Sequence, residues 1–211
     1  DPIISCTADV ALIACASNAV SLPDSARVED GFLRSRGLGA SLVPPLSLVI
    51  DDLGIYYDPT HESRLERLIS ASVDLPGAAL HRAELLRRSV TRSGVSKYNL
   101  DQDRLALPDG HKILVPGQVE DDASIKLGAD GISTNLKLLE VAREKNPDSI
   151  IIYKPHPDVE AGLRDGALAD DAVLVLAIFT ATRTDPISLI GDSDEVWTMT
   201  SLLGFEALLR G

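Results

Sequence analysis

The amino-acid sequence predicts an α/β protein that contains a parallel sheet. From residue 112 onward, segments rich in Ile, Val and Leu alternate with segments of helical periodicity, an order typical of βαβ units. One strand segment, "SIIIY" at 149–153, is apolar over four consecutive residues, as expected of a strand buried on both faces. We therefore expect helices on both sides of this sheet.

Two strand regions are predicted in the first half. Residues 9–16, "DVALIACA", favour a short buried strand, with a helix as the alternative. Residues 47–58, "SLVIDDLGIYYD", consist of two β-prone halves around a polar centre that ends in glycine. This pattern predicts a hairpin that turns at 51–54.

Two helices are predicted to follow these strands. Ser63 and Glu66 have the spacing of a capping box, which predicts a helix that begins at Ser63. The apolar periodicity predicts a second helix from Gly77 to Ser93, because Gly94 is a typical helix terminator. The first half therefore combines short strands with two consecutive helices.

The second half is predicted to form a separate unit. The stretch at 95–111 is polar, contains Pro and Gly, and shows neither helical nor strand periodicity. These features are typical of a domain boundary. We therefore expect domains at 1–105 and 106–211. In the second half, strands are predicted at 112–118, 149–154, 171–179 and 195–201, and helices at 131–145 and 202–211.

The composition narrows the functional class. The chain has 211 residues, of which 45% are hydrophobic, so it can build a sizeable core, and no apolar run approaches the length of a membrane helix. The formal net charge of −12 argues against nucleic-acid binding, which needs a basic surface. Cys6 and Cys15 are the only cysteines, and we expect them to be buried thiols in a reducing cytoplasm.

Lys154, His156 and Pro157 follow the predicted strand at 149–154. In open parallel sheets, ligands bind beyond the carboxyl ends of the strands. A proline on each side of His156 stiffens the backbone, so that the imidazole is presented rigidly, and Lys154 adds a cation that suits a phosphate. The alternative is a rigid turn with a packed histidine and a surface lysine.

Two clusters of charged residues are candidates for chemistry. Three consecutive acids at 120–122 follow the strand at 112–118, and carboxylates in such a position can act as nucleophile, base or metal ligand. In the first half, Glu29 and Asp30 lie close in sequence to Arg34, whose guanidinium suits a ligand carboxylate. The alternatives are a solvated acidic loop and a local salt-bridged loop, respectively.

The last predicted helix follows Ser201 and contains Gly204 near its start. The N-terminus of a helix offers free N–H groups and the positive end of a dipole to an anion. This segment is therefore a candidate anion site. Small residues at such a position also serve helix packing, which is the alternative.

Five segments, taken in order, resemble the capsule polysaccharide β-Kdo transferases of the KpsC type. The likeness covers nearly the whole chain after about residue 25. The resemblance implies a GT-B-like fold, with two Rossmann-like domains and a cleft between them. Because family members continue beyond the position of Gly211, we expect one module of a tandem protein with its second domain incomplete. The segments are "VEDGFLRSRGLGA", "GIYYDPTHESRLERL", "VPGQVEDDASI", "YKPHPDVEAGLRDG" and "VWTMTSLLGFEALLRG".

The resemblance also implies an activity. The family consists of retaining glycosyltransferases that move Kdo, an acidic sugar, from CMP-β-Kdo to an oligo-Kdo lysophospholipid in capsule linker synthesis. It implies a cytoplasmic protein that associates with the inner membrane of a Gram-negative bacterium, and contacts with capsule assembly proteins. We expect no metal or other cofactor, because Lys154, His156 and a helix terminus would stabilise the leaving phosphate without a divalent cation. Two alternatives stay open: another CMP-sugar transferase, of the sialyltransferase-like type, and a non-catalytic module that binds sugar nucleotides.

The resemblance assigns roles to the nucleotide-binding residues. Lys154 and His156, with Pro157, would neutralise and hold the CMP phosphate. Ser201 and the helix that contains Gly204 and Glu206 would complete the nucleotide site.

The remaining roles concern the sugar. Asp122 matches the Asp of the family's Gln-x-x-x-Asp-x-Ser pattern, here with Gln118 and Ser124, and we predict that it is the catalytic nucleophile. Gln118 and Ser124 would orient Asp122 or the sugar. We further predict that Arg34 binds the sugar carboxylate and that Glu29 or Asp30 acts as general base towards the acceptor hydroxyl.

Overall fold

The structure is a computed structural model that describes residues 3–5, 11–14 and 25–211. The two cysteines, which are predicted to be buried thiols, lie outside these residues. Among the helices described, none is both long enough and apolar enough to cross a bilayer.

The first half contains a mixed four-stranded sheet in the order β1-β2-β3-β4. The first two strands are antiparallel, β2 and β3 are parallel, and β3 and β4 are antiparallel. The strand predicted within 9–16 is present as β2. The bounds are β1 Ile3–Ser5, β2 Ala11–Ala14, β3 Ser25–Asp30 and β4 Leu48–Asp51.

The hairpin predicted at 47–58 is wrong, since β4 ends at Asp51 and pairs with β3 instead. The buried Asp51 carboxylate explains this difference. Its Oδ1 accepts from the backbone N–H groups of Leu53 and Gly54, at 2.9 Å each, and its Oδ2 accepts from that of Arg64 at 2.8 Å. These bonds hold the chain in a turn that leads to the next helix, so no second strand forms.

Both predicted helices of the first half are confirmed. Helix α1 is Arg64–Ala71, and the capping box is formed, with Ser63 as N-cap and Glu66 as its partner. A 3₁₀ turn at Ser72–Asp74 separates it from α2, Gly77–Arg92.

The second half contains a parallel sheet in the order β7-β6-β5-β8. The strands predicted at 112–118 and 149–154 and the helix predicted at 202–211 are present within one or two residues of their predicted bounds. The helix predicted at 131–145 is present as well, but it begins at Asn135, four residues after its predicted start. The strands are β5 Lys112–Pro116, β6 Ile150–Lys154, β7 Phe179–Thr180 and β8 Glu195–Val196. The helices are α3 Ala123–Gly128, α4 Asn135–Lys145, α5 Pro157–Glu160, α6 Asp170–Leu176, α7 Pro186–Asp192 and α8 Leu202–Arg210.

Two strand predictions in the second half need correction. Most of 171–179 forms α6, which carries Asp170 and Asp171 in its first turn and buries only Val173 among its own residues, and only the end of the run forms β7. A short apolar run does not by itself distinguish a strand from a helix. The strand predicted at 195–201 is shorter than expected, since β8 comprises only Glu195–Val196.

The hydrophobic core lies on both faces of the parallel sheet, as predicted. On one face, Ile113 and Val115 pack with residues of α4 and α6, and on the other, Leu114 packs with residues of α7. Successive side chains of a strand point to opposite faces, so both must be apolar when both faces are covered. This core fixes the positions of the strand ends that form the site. The predicted domain division at residue 105 stays a prediction.

Candidate functional site

A cavity of about 700 Å³ lies where segments of the two halves meet. The second half contributes the residues that follow β5, β6 and β8, and the first half contributes the end of β3 and the tyrosines at 56 and 57. The segment at 96–100, between α2 and β5, lines the cavity as well. The carboxyl ends of neighbouring parallel strands therefore open into one site, as expected for such a sheet.

Ten of the twelve predicted site residues line this cavity. The two that do not are Arg34 and Gly204. The ten are Glu29, Asp30, Gln118, Asp122, Ser124, Lys154, His156, Pro157, Ser201 and Glu206.

His156 is the N-cap of α5, and its ring is held in one orientation. Its Nδ1 accepts from the backbone N–H of Asp158 at 3.2 Å, so the neutral ring carries its proton on Nε2. Burial, together with the nearby charge of Lys97, lowers the pKa of His156 to about 4. The imidazole in this structure is therefore neutral near pH 7, and its predicted role in neutralising a phosphate stays a prediction.

Lys154 is 5% exposed, and its charge is already compensated. Its Nζ lies 3.2 and 3.1 Å from the two carboxylate oxygens of Glu160. Burial lowers the pKa of Lys154, and the charge of Glu160 opposes this shift. An anion in the cavity therefore meets a lysine that forms an ion pair with the protein itself.

Asp122 is the N-cap of α3, at the end of the loop that follows β5. Its Oδ1 accepts from the backbone N–H of Ser124 at 2.9 Å and from the Ser124 hydroxyl at 2.7 Å. The role of Ser124 in orienting Asp122 stays a prediction. The neighbouring acids are used elsewhere, since Glu120 accepts from the backbone N–H of Asn135 at 2.7 Å and Asp121 pairs with Arg164 at 2.6 Å.

Gln118 supports the loop that precedes α8. Its Nε2 donates to the Thr200 hydroxyl at 2.8 Å, and its Oε1 accepts from the backbone N–H of Thr200 at 3.0 Å. Its backbone N–H and C=O both bond to the buried side chain of Asn135 at 2.8 Å. These bonds join two strand ends to each other, and the role of this amide in orienting Asp122 or the sugar stays a prediction.

Glu29 and Asp30 line the cavity, whereas Arg34 does not. The guanidinium, in a residue only 6% exposed, donates to the carboxylate of Asp30, to the Ser35 hydroxyl at 3.0 Å and to the backbone C=O of Val43 at 2.8 Å. The predicted contact of Arg34 with a ligand carboxylate therefore needs correction, because it supports Asp30. Burial raises the pKa of Glu29, which suits a proton acceptor.

The start of α8 combines a cap with close packing. The Ser201 hydroxyl accepts from the backbone N–H of Leu203 at 3.2 Å. A Cβ at position 204 would lie 2.8 Å from Cγ2 of Thr198, so Gly204 permits a close approach and does not contact the cavity. This is the packing alternative, and it corrects the ligand-binding role. Glu206 does line the cavity, and its Oε1 accepts from the backbone N–H of Lys97 at 2.8 Å.

Sequence reasoning missed Tyr56, Lys97 and Tyr98, all of which line the cavity. Burial and the charges of nearby acids raise the pKa of Tyr56, so its phenol stays protonated and can donate a hydrogen bond. Lys97 and Tyr98 lie in the stretch that we interpret as a linker. A signal was available there, because ligand sites often form where two units meet, and a linker runs along that junction.

A metal site is not evident in the part of the chain that the structure describes. No three His, Cys, Asp or Glu side chains lie close enough together there to hold an ion. Glu29, Asp30, Asp122 and Glu206 are instead bonded to backbone N–H groups, a hydroxyl or an arginine, whereas the buried Oδ1 of Asp158 has no hydrogen-bond partner among the described residues.

The parallel sheet, the mixed first sheet and the cavity at their junction define an α/β protein of the GT-B-like class, as predicted. Two solved structures from Thermosulfurimonas dismutans match it over 89% of the chain. KpsC β-Kdo 2,7 transferase is 39% identical with a TM-score of 0.70, and KpsC β-Kdo 2,4 transferase is 31% identical with a TM-score of 0.76.

Sequence comparisons identify the family. A family model described as "Capsule polysaccharide biosynthesis protein" matches residues 10–99 and 82–211, and the chain belongs to this family. The capsule polysaccharide modification protein LipA of Neisseria meningitidis serogroup A is 48% identical over 187 residues, or 88% of this chain. The lipopolysaccharide-processing protein LpsZ of Rhizobium meliloti is 45% identical over 189 residues, or 87% of this chain.

The chain spans only part of each of these proteins. It corresponds to 26% of LipA, 43% of LpsZ, and 55% and 59% of the two solved chains.

Proposed function

We propose that this chain provides the sugar-nucleotide site of a retaining glycosyltransferase, which moves Kdo from CMP-Kdo to an oligo-Kdo lysophospholipid at the inner membrane. The observation that carries the proposal is the presence of Asp122, Glu29 and His156 in one cavity. Membership of the capsule family and the similarity to two Kdo transferases support the same activity.

The donor phosphate would bind beside the end of β6. The Nε2–H of His156 can donate to a phosphate oxygen, since Nδ1 is occupied by a backbone N–H. The start of α8 adds the positive end of a helix dipole, while its Leu203 and Gly204 N–H groups bond to Ser201 itself. Hydrogen bonds and dipoles of this kind stabilise a leaving phosphate and need no divalent cation.

The sugar would be transferred in two displacements, which together retain its configuration. First, an oxygen of Asp122 attacks the anomeric carbon. The bond from this carbon to the phosphate oxygen breaks, and CMP leaves with the bonding electron pair. An acceptor hydroxyl oxygen then attacks the same carbon, so that the aspartyl ester bond breaks and Asp122 regains its charge.

Glu29 is the better placed of the two candidate bases. Burial raises its pKa, and the nearby charge of Asp30 raises it further, so the carboxylate has increased proton affinity. Asp30, in contrast, is bonded to the guanidinium of Arg34. In the second displacement, the proton of the acceptor hydroxyl would therefore pass to Glu29.

The test is detection of the covalent intermediate. The protein is given CMP-Kdo without acceptor and digested, and mass spectrometry should locate one Kdo residue on Asp122. Asp122→Ala should abolish the adduct, whereas the matched variant Asp121→Ala should retain it, because Asp121 forms an exposed pair with Arg164. An adduct on another residue would refute the role of Asp122.

Two further arms of this experiment test the donor and the metal. CMP-sialic acid in place of CMP-Kdo should give no adduct, and adduct from both would favour a CMP-sugar transferase of wider specificity. A chelator should leave adduct formation unchanged. Loss of the adduct with recovery on addition of magnesium would contradict the metal-independent mechanism.

A further inference from the structure

The cavity has more acids than cations along its walls. Among the lining residues, five are acidic: Glu29, Asp30, Asp122, Asp158 and Glu206. Only three side chains carry a permanent positive charge: Lys97, Lys154 and Arg164. A donor with a phosphate and a sugar carboxylate would thus enter a site whose net charge repels it. A cation that is not paired with a carboxylate of the protein is therefore important for binding.

Two of the three cations are already paired with carboxylates. Lys154 bridges both oxygens of Glu160, and Arg164 lies 2.6 Å from Asp121. Lys97 differs, because its ammonium lies within ion-pair distance of no carboxylate among residues 26–211, the side chains that the structure describes. It lies instead 5.2 Å from the centre of the Tyr98 ring.

The backbone of Lys97 is fixed from both sides of the cavity. Its C=O accepts from the N–H groups of Arg34 and Ser35 at 3.0 and 3.1 Å, and its N–H donates to Oε1 of Glu206 at 2.8 Å. The lysine therefore lies at the junction of the first half and α8. A side chain on such a fixed backbone loses less entropy when it binds a ligand.

The charge of Lys97 shifts the pKa of four groups that line the cavity. Burial raises the pKa of Glu29, of Asp158 and of Glu206, and in each case the ammonium of Lys97 opposes the rise. The same charge adds to the lowering of the His156 pKa, which burial dominates. Lys97 is thus close enough to act on the group expected beside the phosphate and on the proposed base.

We propose that Lys97 is the cation that binds an oxyanion of the donor in this cavity. The inference rests on the proposed function, and it assigns the charge-neutralising role to Lys97 instead of Arg34 or His156. A ligand oxyanion at Lys97 has no carboxylate of the protein to displace, in contrast to one at Lys154. Both the phosphate and the sugar carboxylate are oxyanions, and they are attached to the same anomeric carbon of the donor.

The test compares ligands with and without an anionic group. Calorimetry measures the affinity for CMP and for cytidine, and initial rates give the KM for CMP-Kdo. Lys97→Met and Lys97→Gln should weaken CMP binding, or raise the KM for CMP-Kdo, by about 10- to 100-fold, as for a charge-assisted hydrogen bond. Cytidine affinity should not change. Lys97→Arg should restore most of the loss, because it keeps the charge.

The matched control is Lys145→Met, which removes an exposed positive charge from the end of α4, outside the cavity. Weaker binding of CMP identifies the phosphate as the partner, and an effect confined to CMP-Kdo identifies the sugar carboxylate. Folded Lys97 variants with wild-type values for both ligands overturn the inference while the proposed function stands. A wild-type protein that binds neither CMP nor cytidine and does not turn over CMP-Kdo refutes both.

Discussion

The buried carboxyl of Glu206 makes the stability of the fold depend on pH. The residue is 4% exposed, and burial raises its pKa from 4.5 to about 7, against the opposing effects of the Lys97 N–H bond and the Arg210 charge. Between these two values the folded state holds a proton that the unfolded state has lost. Stability from this group is therefore fully present below pH 4.5 and is lost as the pH rises through about 7.

Glu206→Gln removes this dependence and keeps the shape of the side chain. A rise from 4.5 to about 7 corresponds to about 3 kcal/mol, at about 1.4 kcal/mol per pKa unit. The amide oxygen of Gln can still accept from the Lys97 N–H. We therefore expect the variant to gain about 3 kcal/mol of unfolding free energy relative to wild type between about pH 4.5 and pH 8.

Urea unfolding of both proteins at several pH values measures this difference directly, because the two proteins have all other ionisable groups in common. Glu84→Gln is the control, because hydrogen bonds from Arg87 and Arg88 lower the pKa of Glu84 to about 2. Its ionisation in the folded state lies far below the tested range, so no comparable gain is expected there. A difference between Glu206→Gln and wild type that stays constant with pH would refute the burial argument.

Two further substitutions test the roles of predicted residues. His156→Ala should weaken CMP binding by about 10-fold or less, because a neutral hydrogen bond is lost. His111→Ala, at an exposed histidine, is the control and should have no effect. Unchanged CMP affinity of His156→Ala in calorimetry would remove His156 from the phosphate site. Arg34→Met should lower the unfolding free energy by about 1–3 kcal/mol, because Asp30 and a backbone C=O lose their donor. Arg36→Met, which breaks an exposed pair, is its control in chemical denaturation, and equal effects would contradict the supporting role of Arg34.

The parts of the fold that were predictable from sequence are those with local signals. The capping box at Ser63 and the apolar strand β6 are set by neighbouring residues, and both are confirmed. The hairpin prediction failed because Asp51 bonds to Arg64, a contact across thirteen positions that a turn pattern does not include. The prediction at 171–179 failed because the run is short, and its burial on one side became clear only in the fold.

The sequence predicts which residues share the site where those residues follow neighbouring strands of the parallel sheet. Asp122 and His156 follow different strands, and the parallel sheet brings them into one cavity. The electrostatic state of these residues was not predictable, because it depends on burial and on distant partners. The sequence suggests a cationic His156, whereas burial makes its ring neutral near pH 7. The sequence places Lys97 in a domain boundary, whereas the structure places it in the lining of the cavity.

The arrangement of charges in the cavity fits the direction in which charge moves in the proposed first displacement. Before attack, Asp122 carries a negative charge, and afterwards that charge is on the phosphate of CMP. Groups near the phosphate therefore interact more strongly with the transition state than with the bound donor, which is the requirement for catalysis. The neutral His156 contributes a directed hydrogen bond, and it does not form an ion pair with Asp122 that would lower the reactivity of the nucleophile. Lys97 contributes to the lowering of the His156 pKa and so lies near the proposed phosphate position, and binding and rate would therefore depend on the same lysine.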